Sequence, residues 1–271
     1  MNDNLKHYLT QFPKDRHLNH TREYVQWLIL KAVDDAGFRR DLAFVGGTAL
    51  RTVFKISRFS EDLDFSLVSG AKLDAKDLSS TVAKAIQRCN LQITIAKLKS
   101  EGNVISFFMK FQDLLYPLGI SAHKDQPLSI KLEIDTKPPK GWGLEEYFFA
   151  DPVMFWVNHF DLPSLFAGKL HALLFRGYDK GRDIYDLIFF LKKKVSFNMT
   201  MFKNAAHQTH PEKNYASSGD VFKDLASKLK QKDEKKLKQD IAPFMLDPED
   251  ERFISCSTAI QLLIQGGYIK G

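Results

Sequence analysis

Residues 61–67, EDLDFSL, read as a β-strand with an unusual face. Leu63, Phe65 and Leu67 alternate at period two with Asp62, Asp64 and Ser66, the spacing that sends successive side chains to opposite faces of a strand. Aspartate is depleted in strands, because a short charged side chain neither packs on a pleated surface nor spares the backbone competition for hydrogen bonds. Two carboxylates about 4 Å apart repel by about 4 kcal/mol at an effective dielectric near 20. A third acid, Glu61, stands just ahead of them. This pattern asks for a compensating partner.

The flanking sequence suggests one. Upstream, LAFVGG (42–47) reads as a short apolar strand, and TALRTVF (48–54) as a helix opening directly from the paired glycines; KISRFSE then connects to the acidic strand. Gly46 and Gly47 let the backbone approach a ligand closely. The helix start directs unsatisfied N–H groups and a partial positive charge outward, which suits a phosphate. Downstream, SIKLEIDT (129–136) alternates cleanly, with Ile130, Leu132 and Ile134 on one face and Lys131, Glu133 and Asp135 on the other. Asp62, Asp64 and either Glu133 or Asp135 would form a set of convergent carboxylates. A hard divalent ion such as Mg²⁺ takes oxygen ligands of this kind and shares them with substrate phosphates. The alternative is an exposed acidic face neutralised by surface lysines.

Around this nucleus the chain reads as a mixed α+β region followed by a helical one. Residues 19–36 carry apolar positions at helical spacing (Val25, Leu28, Ile29, Ala32, Val33), with Asn19 or Thr21 as the cap and Gly37 at the end. Residues 74–90 form a second amphipathic helix, and 91–99 and 103–111 a strand pair around the turn EGN. PPKGWG breaks the regular structure near 140. After residue 150 the character changes: a helix is expected from Pro163 through LFAGKLHALLF, another in GRDIYDLIFFLKKK, and more helix to the end. The charge run KLKQKDEKKLKQD is expected to be a solvated helix face. The division is therefore 1–150 and 151–271.

The chain has 271 residues, a net charge of +6 and a sequence pI near 9.1, a balance that allows a polyanionic partner such as RNA. Cys89 and Cys256 are far apart and form neither a metal-type pair nor a disulfide framework. No apolar run approaches the roughly 18 residues of a membrane span, and the first residues lack a signal-type segment. A cytoplasmic location and no membrane association are expected. His171 has no evident partner, His207 and His210 read as surface residues, and nothing suggests a Ser-His-Asp triad or a zinc site.

FVGGTALRTVFKISRFSEDLDFSL resembles the first motif of the DNA polymerase β-like nucleotidyltransferases, Gly-Gly-Ser/Thr, a spacer and Asp-x-Asp. More narrowly, it resembles the AbiEii/AbiGii toxin family, the nucleotidyltransferase toxins of type IV toxin–antitoxin systems. The run Arg58-Phe59-Ser60-Glu61-Asp62, the strand SIKLEID and the stretch FAGKLHALLFRGYDKGRDIYDL are similar to further segments of that family, so the likeness spans residues 40–190. It implies a polymerase β-like core with a helical C-terminal region that contributes Lys169 and Asp183 to catalysis. Gly46, Gly47, Thr48 and Lys169 would hold the nucleotide, Asp62 and Asp64 would ligate Mg²⁺ or Mn²⁺, and Glu133 would complete the metal site or act as base on the incoming hydroxyl. Asp135 is the other candidate for the third acid, and Arg182 and Asp186 are secondary candidates. The resemblance further implies an NTP substrate, a toxin role with a cognate antitoxin, a link to phage defence and an RNA acceptor such as tRNA. Transfer to a small molecule of the antibiotic type, a non-catalytic nucleotide- or RNA-binding module, and a Mg²⁺ phosphohydrolase are the other readings.

Overall fold

The computed structural model describes residues 3–68, 70 and 72–270. Its elements run α1 (Asp3–Leu9), α2 (His17–Asp35), β1 (Leu42–Val45), α3 (Gly46–Thr52), β2 (Leu63–Leu67), α4 (Ala75–Arg88), β3 (Ile93–Glu101), β4 (Val104–Phe111), β5 (Leu128–Asp135), β6 (Leu144–Phe149) and β7 (Phe155–Phe160). Helices α5 (Leu162–Phe175), α6 (Gly181–Lys192), α7 (Met199–Thr209), α8 (Ser218–Leu229), α9 (Glu234–Ile241) and α10 (Cys256–Gln265) follow. No helix among the described residues is long and apolar enough to cross a membrane.

The chain divides into two compact units: Met1–Ala49 with Phe59–Pro138 and Leu144–His159, and Leu50–Arg58 with Pro139–Gly143 and Phe160–Gly271. The first unit is built on a seven-stranded mixed sheet in the order β3-β4-β5-β2-β1-β7-β6. Strand β2 runs antiparallel to β1 and parallel to β5, so the acidic strand is central. One face buries Phe44 and Phe65, whose rings lie 5.4 Å apart, with Ile130, Leu132 and Ile134. Helix α2 is buried almost all round, through Tyr24, Val25, Trp27, Leu28, Ile29 and Leu30.

Strands are present where 42–47, 61–67, 91–99, 103–111 and 129–136 were expected, as are the helices at 19–36 and 74–90, but β1 ends at Val45 so that both glycines belong to α3, and β2 begins at Leu63 so that Asp62 precedes the strand. Two further details differ. Helix α2 starts at His17, and its N-cap Arg16 makes no side-chain cap, while Thr21 is buried within the helix; Gly37 follows its end at φ +82° as expected. Strands β6 and β7 were not expected, and β7 lies beyond residue 150.

The second unit is helical. Asp161 caps α5 by accepting from the Ser164 N–H at 2.8 Å, and Pro163 occupies the first turn, where its missing N–H costs nothing. Asn198 caps α7, and a Ser217–Asp220 capping box opens α8. The core stacks Phe166 on Phe190, centroids 4.4 Å apart, with Phe197, Phe202 and Phe222 around them. The charge run at 228–240 is only partly solvated: Leu237 and Ile241 are buried, Lys228 donates to the Leu174 carbonyl and Lys232 pairs with Asp179.

Candidate active site

In the sheet unit, register assembles the acids. Asp64 lies opposite Val45 of β1 on one side and opposite Glu133 of β5 on the other. Adjacent strands are about 4.8 Å apart, so these two carboxylates share one face side by side. Asp135 lies opposite Ser66 instead. It also accepts the Lys137 N–H at 2.9 Å, and burial pushes its carboxyl above the ordinary 3.8, with that hydrogen bond working the other way. Glu133 is met by Lys131 at 2.7 Å, both side chains about a third exposed.

The glycine turn is fitted against Asp64. Gly46 has φ +76°, a region where a Cβ is strained. A Cβ there would lie 2.9 Å from both Cβ and Cγ of Asp64 and closer still to Oδ2. Only glycine lets the backbone between β1 and α3 pass this close to the carboxylate. Thr48, at the start of α3, is buried, and its hydroxyl donates to the Asp62 carbonyl. That bond ties the helix start to the residue before β2. Gln26 of α2, itself buried, donates to the carbonyls of Ser60 and Glu61 at 3.1 and 2.9 Å. It holds the approach to β2 from the other end. Gln26 was not a candidate from sequence; its one signal was an amide inside an otherwise apolar stretch of helix.

These residues offer only hard oxygen donors, which suits Mg²⁺ or Mn²⁺ and argues against a soft metal. Among the described residues no group of three or more His, Cys, Asp or Glu is gathered tightly enough to hold a metal ion by itself. One or two carboxylates with phosphate oxygens from a substrate is the usual way Mg²⁺ is held, a pattern that Asp64 beside Glu133 can meet.

In the helical unit a second cluster forms on α5 and α6. Lys169 Nζ lies 3.0 Å from Asp183 Oδ1 and 2.7 Å from Asp186 Oδ2. Arg176 Nη1 meets Asp183 Oδ2 at 2.6 Å. Arg58 grips Asp186 with a two-pronged fork, Nε to Oδ1 at 2.6 Å and Nη2 to Oδ2 at 2.7 Å; Arg58 is 1% exposed and Asp186 0%. Asp183 and Asp186 are three residues apart, so they share a helix face, and Lys169 reaches both. Three cations thus meet two carboxylates. Burial opposes the charge of Lys169, but Asp186 and Asp183 hold its ammonium above the ordinary 10.5. Burial likewise opposes the charge of Asp183, but Lys169 and Arg176 hold its carboxyl below 3.8.

Arg182 is not part of this cluster: its guanidinium lies 4.2 Å from the centroid of the Phe244 ring. Arg58 and Arg176 are the members that sequence reasoning missed; Arg58 stood within the quoted RFSED run without a role. His171 has a partner after all, the Thr209 hydroxyl at 2.9 Å, which also meets His210 at 2.9 Å. Burial, with His210 and Arg176 nearby, lowers His171 to about 4. Both cysteines are free.

The model of the AbiEii nucleotidyl transferase toxins, type IV toxin–antitoxin systems, matches residues 28–256. A solved Helicobacter pylori protein assigned as a nucleotidyltransferase is 23% identical, with a TM-score of 0.51 over 91% of this chain and 92% of its own. The H. pylori protein JHP933 is 22% identical, with a TM-score of 0.49 over 92% and 90%. A comparison with curated proteins found no match. The first of these, at a TM-score of 0.51, shares the mixed sheet and flanking helices.

Proposed function

The chain belongs to the AbiEii nucleotidyl transferase toxin family of type IV toxin–antitoxin systems and is a nucleotidyltransferase, and we propose that it moves a nucleoside monophosphate from an NTP to a hydroxyl of RNA, tRNA foremost. The acceptor oxygen attacks the α-phosphorus, the bond to the β-phosphate breaks, and pyrophosphate leaves. The observation that carries this reading is the placement of Asp64, in register with Glu133 and pressed against the Gly46 backbone.

In this reading the Gly46-Gly47-Thr48 turn holds phosphate through backbone N–H groups, since the Thr48 hydroxyl proton is already given to Asp62. Asp62 and Asp64 would hold Mg²⁺, which when bound would neutralise charge on the phosphates and stabilise the entering and leaving oxygens. Glu133 accepts the proton of the attacking hydroxyl. The cluster of Lys169, Arg58 and Arg176 with Asp183 and Asp186 carries one cation more than it has carboxylates and suits substrate phosphate. A cognate antitoxin is the partner that a type IV toxin–antitoxin family implies, and a part in phage defence belongs to the same proposal.

The test is direct. The purified protein is incubated with Mg²⁺, total cellular RNA and each α-³²P-labelled NTP in turn, and the products are run on a denaturing gel. A labelled tRNA-sized band that Asp64→Ala abolishes is expected. Label found only on small molecules would overturn the RNA acceptor. Glu133→Gln is expected to slow labelling far more than Asp135→Asn, because Asp135 faces Ser66 rather than Asp64; the reverse order would move the proton acceptor to Asp135.

A further inference from the structure

The loop joining α5 to α6, Arg176-Gly177-Tyr178-Asp179-Lys180, holds an aromatic ring out to solvent with two cations against it. Tyr178 is 62% exposed. The Arg176 guanidinium lies 5.2 Å from its ring centroid and the Lys180 ammonium 5.7 Å. Exposing a tyrosine to this degree gives up burial that its ring would otherwise contribute. Both cations lie over the ring and keep it placed, while Tyr178 stays 62% open to solvent. Arg176 is also the residue that grips Asp183 at 2.6 Å, so the ring is joined directly to the Lys169–Asp183 cluster. The one acid of the loop, Asp179, is paired with Lys232, and the Gly181 N–H that follows the loop is taken by Asp240.

We propose that Tyr178, with Arg176 and Lys180, is the platform on which an unpaired base of the acceptor RNA stacks. Every base has a π-face, so a ring flanked by cations takes a single-stranded nucleotide whatever its sequence, while the cations meet the phosphates on either side. A duplex, whose bases are already stacked on each other, gains nothing from the ring. This inference rests on the RNA-acceptor reading above and adds the form of the RNA: a single-stranded segment is what the loop holds.

The experiment is a fluorescence-anisotropy titration of the full chain with a labelled single-stranded RNA of about 12 nucleotides, and with a duplex of the same length. Tyr178→Ala is expected to weaken single-strand binding about tenfold, the usual scale of one lost base stack, and Tyr178→Phe to keep it. Lys180→Ala is expected to flatten the salt dependence by about 0.7 in the logarithmic slope. Duplex binding is expected to be weaker than single-strand binding and to move little in Tyr178→Ala. If wild type binds single strands and Tyr178→Ala binds them equally well, the platform is refuted while the RNA acceptor stands. An equal loss for single strand and duplex would refute stacking as the contact. If wild type binds neither RNA, the acceptor reading itself fails and this inference with it.

Discussion

The protein holds two sets of acids that look alike in sequence and differ in their surroundings. Asp183 and Asp186 sit on one helix face, buried, with Lys169, Arg58 and Arg176 drawn against them. Asp64 and Glu133 sit on one sheet face, partly buried, side by side across a parallel strand pair. The helix pair is neutralised from within the protein, as burial demands, because an unpaired ion in a low-dielectric interior is costly. The strand pair is only partly buried, and Glu133 is met there by a similarly exposed Lys131. The first set keeps its carboxylates paired inside the protein and leaves one cation in excess, while the second stands where solvent reaches it.

Substitutions can break this contrast, and the largest expected effect is on stability. Asp186→Ala leaves Arg58 charged and buried without its fork, and is expected to destabilise by about 3–5 kcal/mol. Urea unfolding measures it, and the double change Arg58→Met with Asp186→Leu is expected to recover most of the loss. Next comes activity: Asp64→Ala is expected to lower transfer by about 10²- to 10³-fold, with the urea midpoint within error of wild type. A fall in midpoint as large as that of Asp186→Ala would erase the distinction.

Gly46→Ala sharpens the contrast within the sheet unit. It places a Cβ against Asp64 at a left-handed φ, with about 1–2 kcal/mol of backbone strain. Transfer is expected to fall more than stability does, because the carboxylate must move; circular dichroism melts and labelling rates together decide this.

The smallest effects are in pH. Asp183 is held below 3.8, so its contribution to stability is full above that value and is lost as the pH falls through the lower folded value. Lys169 is held above 10.5, so its contribution is full below that value and is lost as the pH rises through the higher folded value. Asp135 runs the other way: burial raises it, so ionising it above 3.8 costs stability. Asp183→Asn is thus expected to destabilise at neutral pH and to lose its effect in acid. Asp135→Asn is expected to be neutral or stabilising at neutral pH. Unfolding free energies measured across pH would separate the two.

Much of the sheet unit was legible because its strands alternate. EDLDFSL and SIKLEIDT each bury one apolar face, so their period showed, and parallel pairing did the rest by placing Glu133 rather than Asp135 beside Asp64. β6 and β7 escaped for opposite reasons. LEEYFF is exposed at four of its six positions and shows no alternation, while FWVNHF is buried at all but one and shows none either. The helical cluster was half legible: Lys169, Asp183 and Asp186 lie close in sequence, but Arg58 is 128 residues from Asp186, and no local pattern reveals a partner at that distance.

The most direct test of the central claim is the thermal midpoint with and without Mg²⁺ and NTP, in wild type and in Asp64→Asn. Mg²⁺ and NTP together are expected to raise the wild-type midpoint, neither alone to do so, and Asp64→Asn to start from the wild-type midpoint and show no rise. An equal rise in Asp64→Asn would contradict that claim, and would remove the strand acids from the nucleotide site.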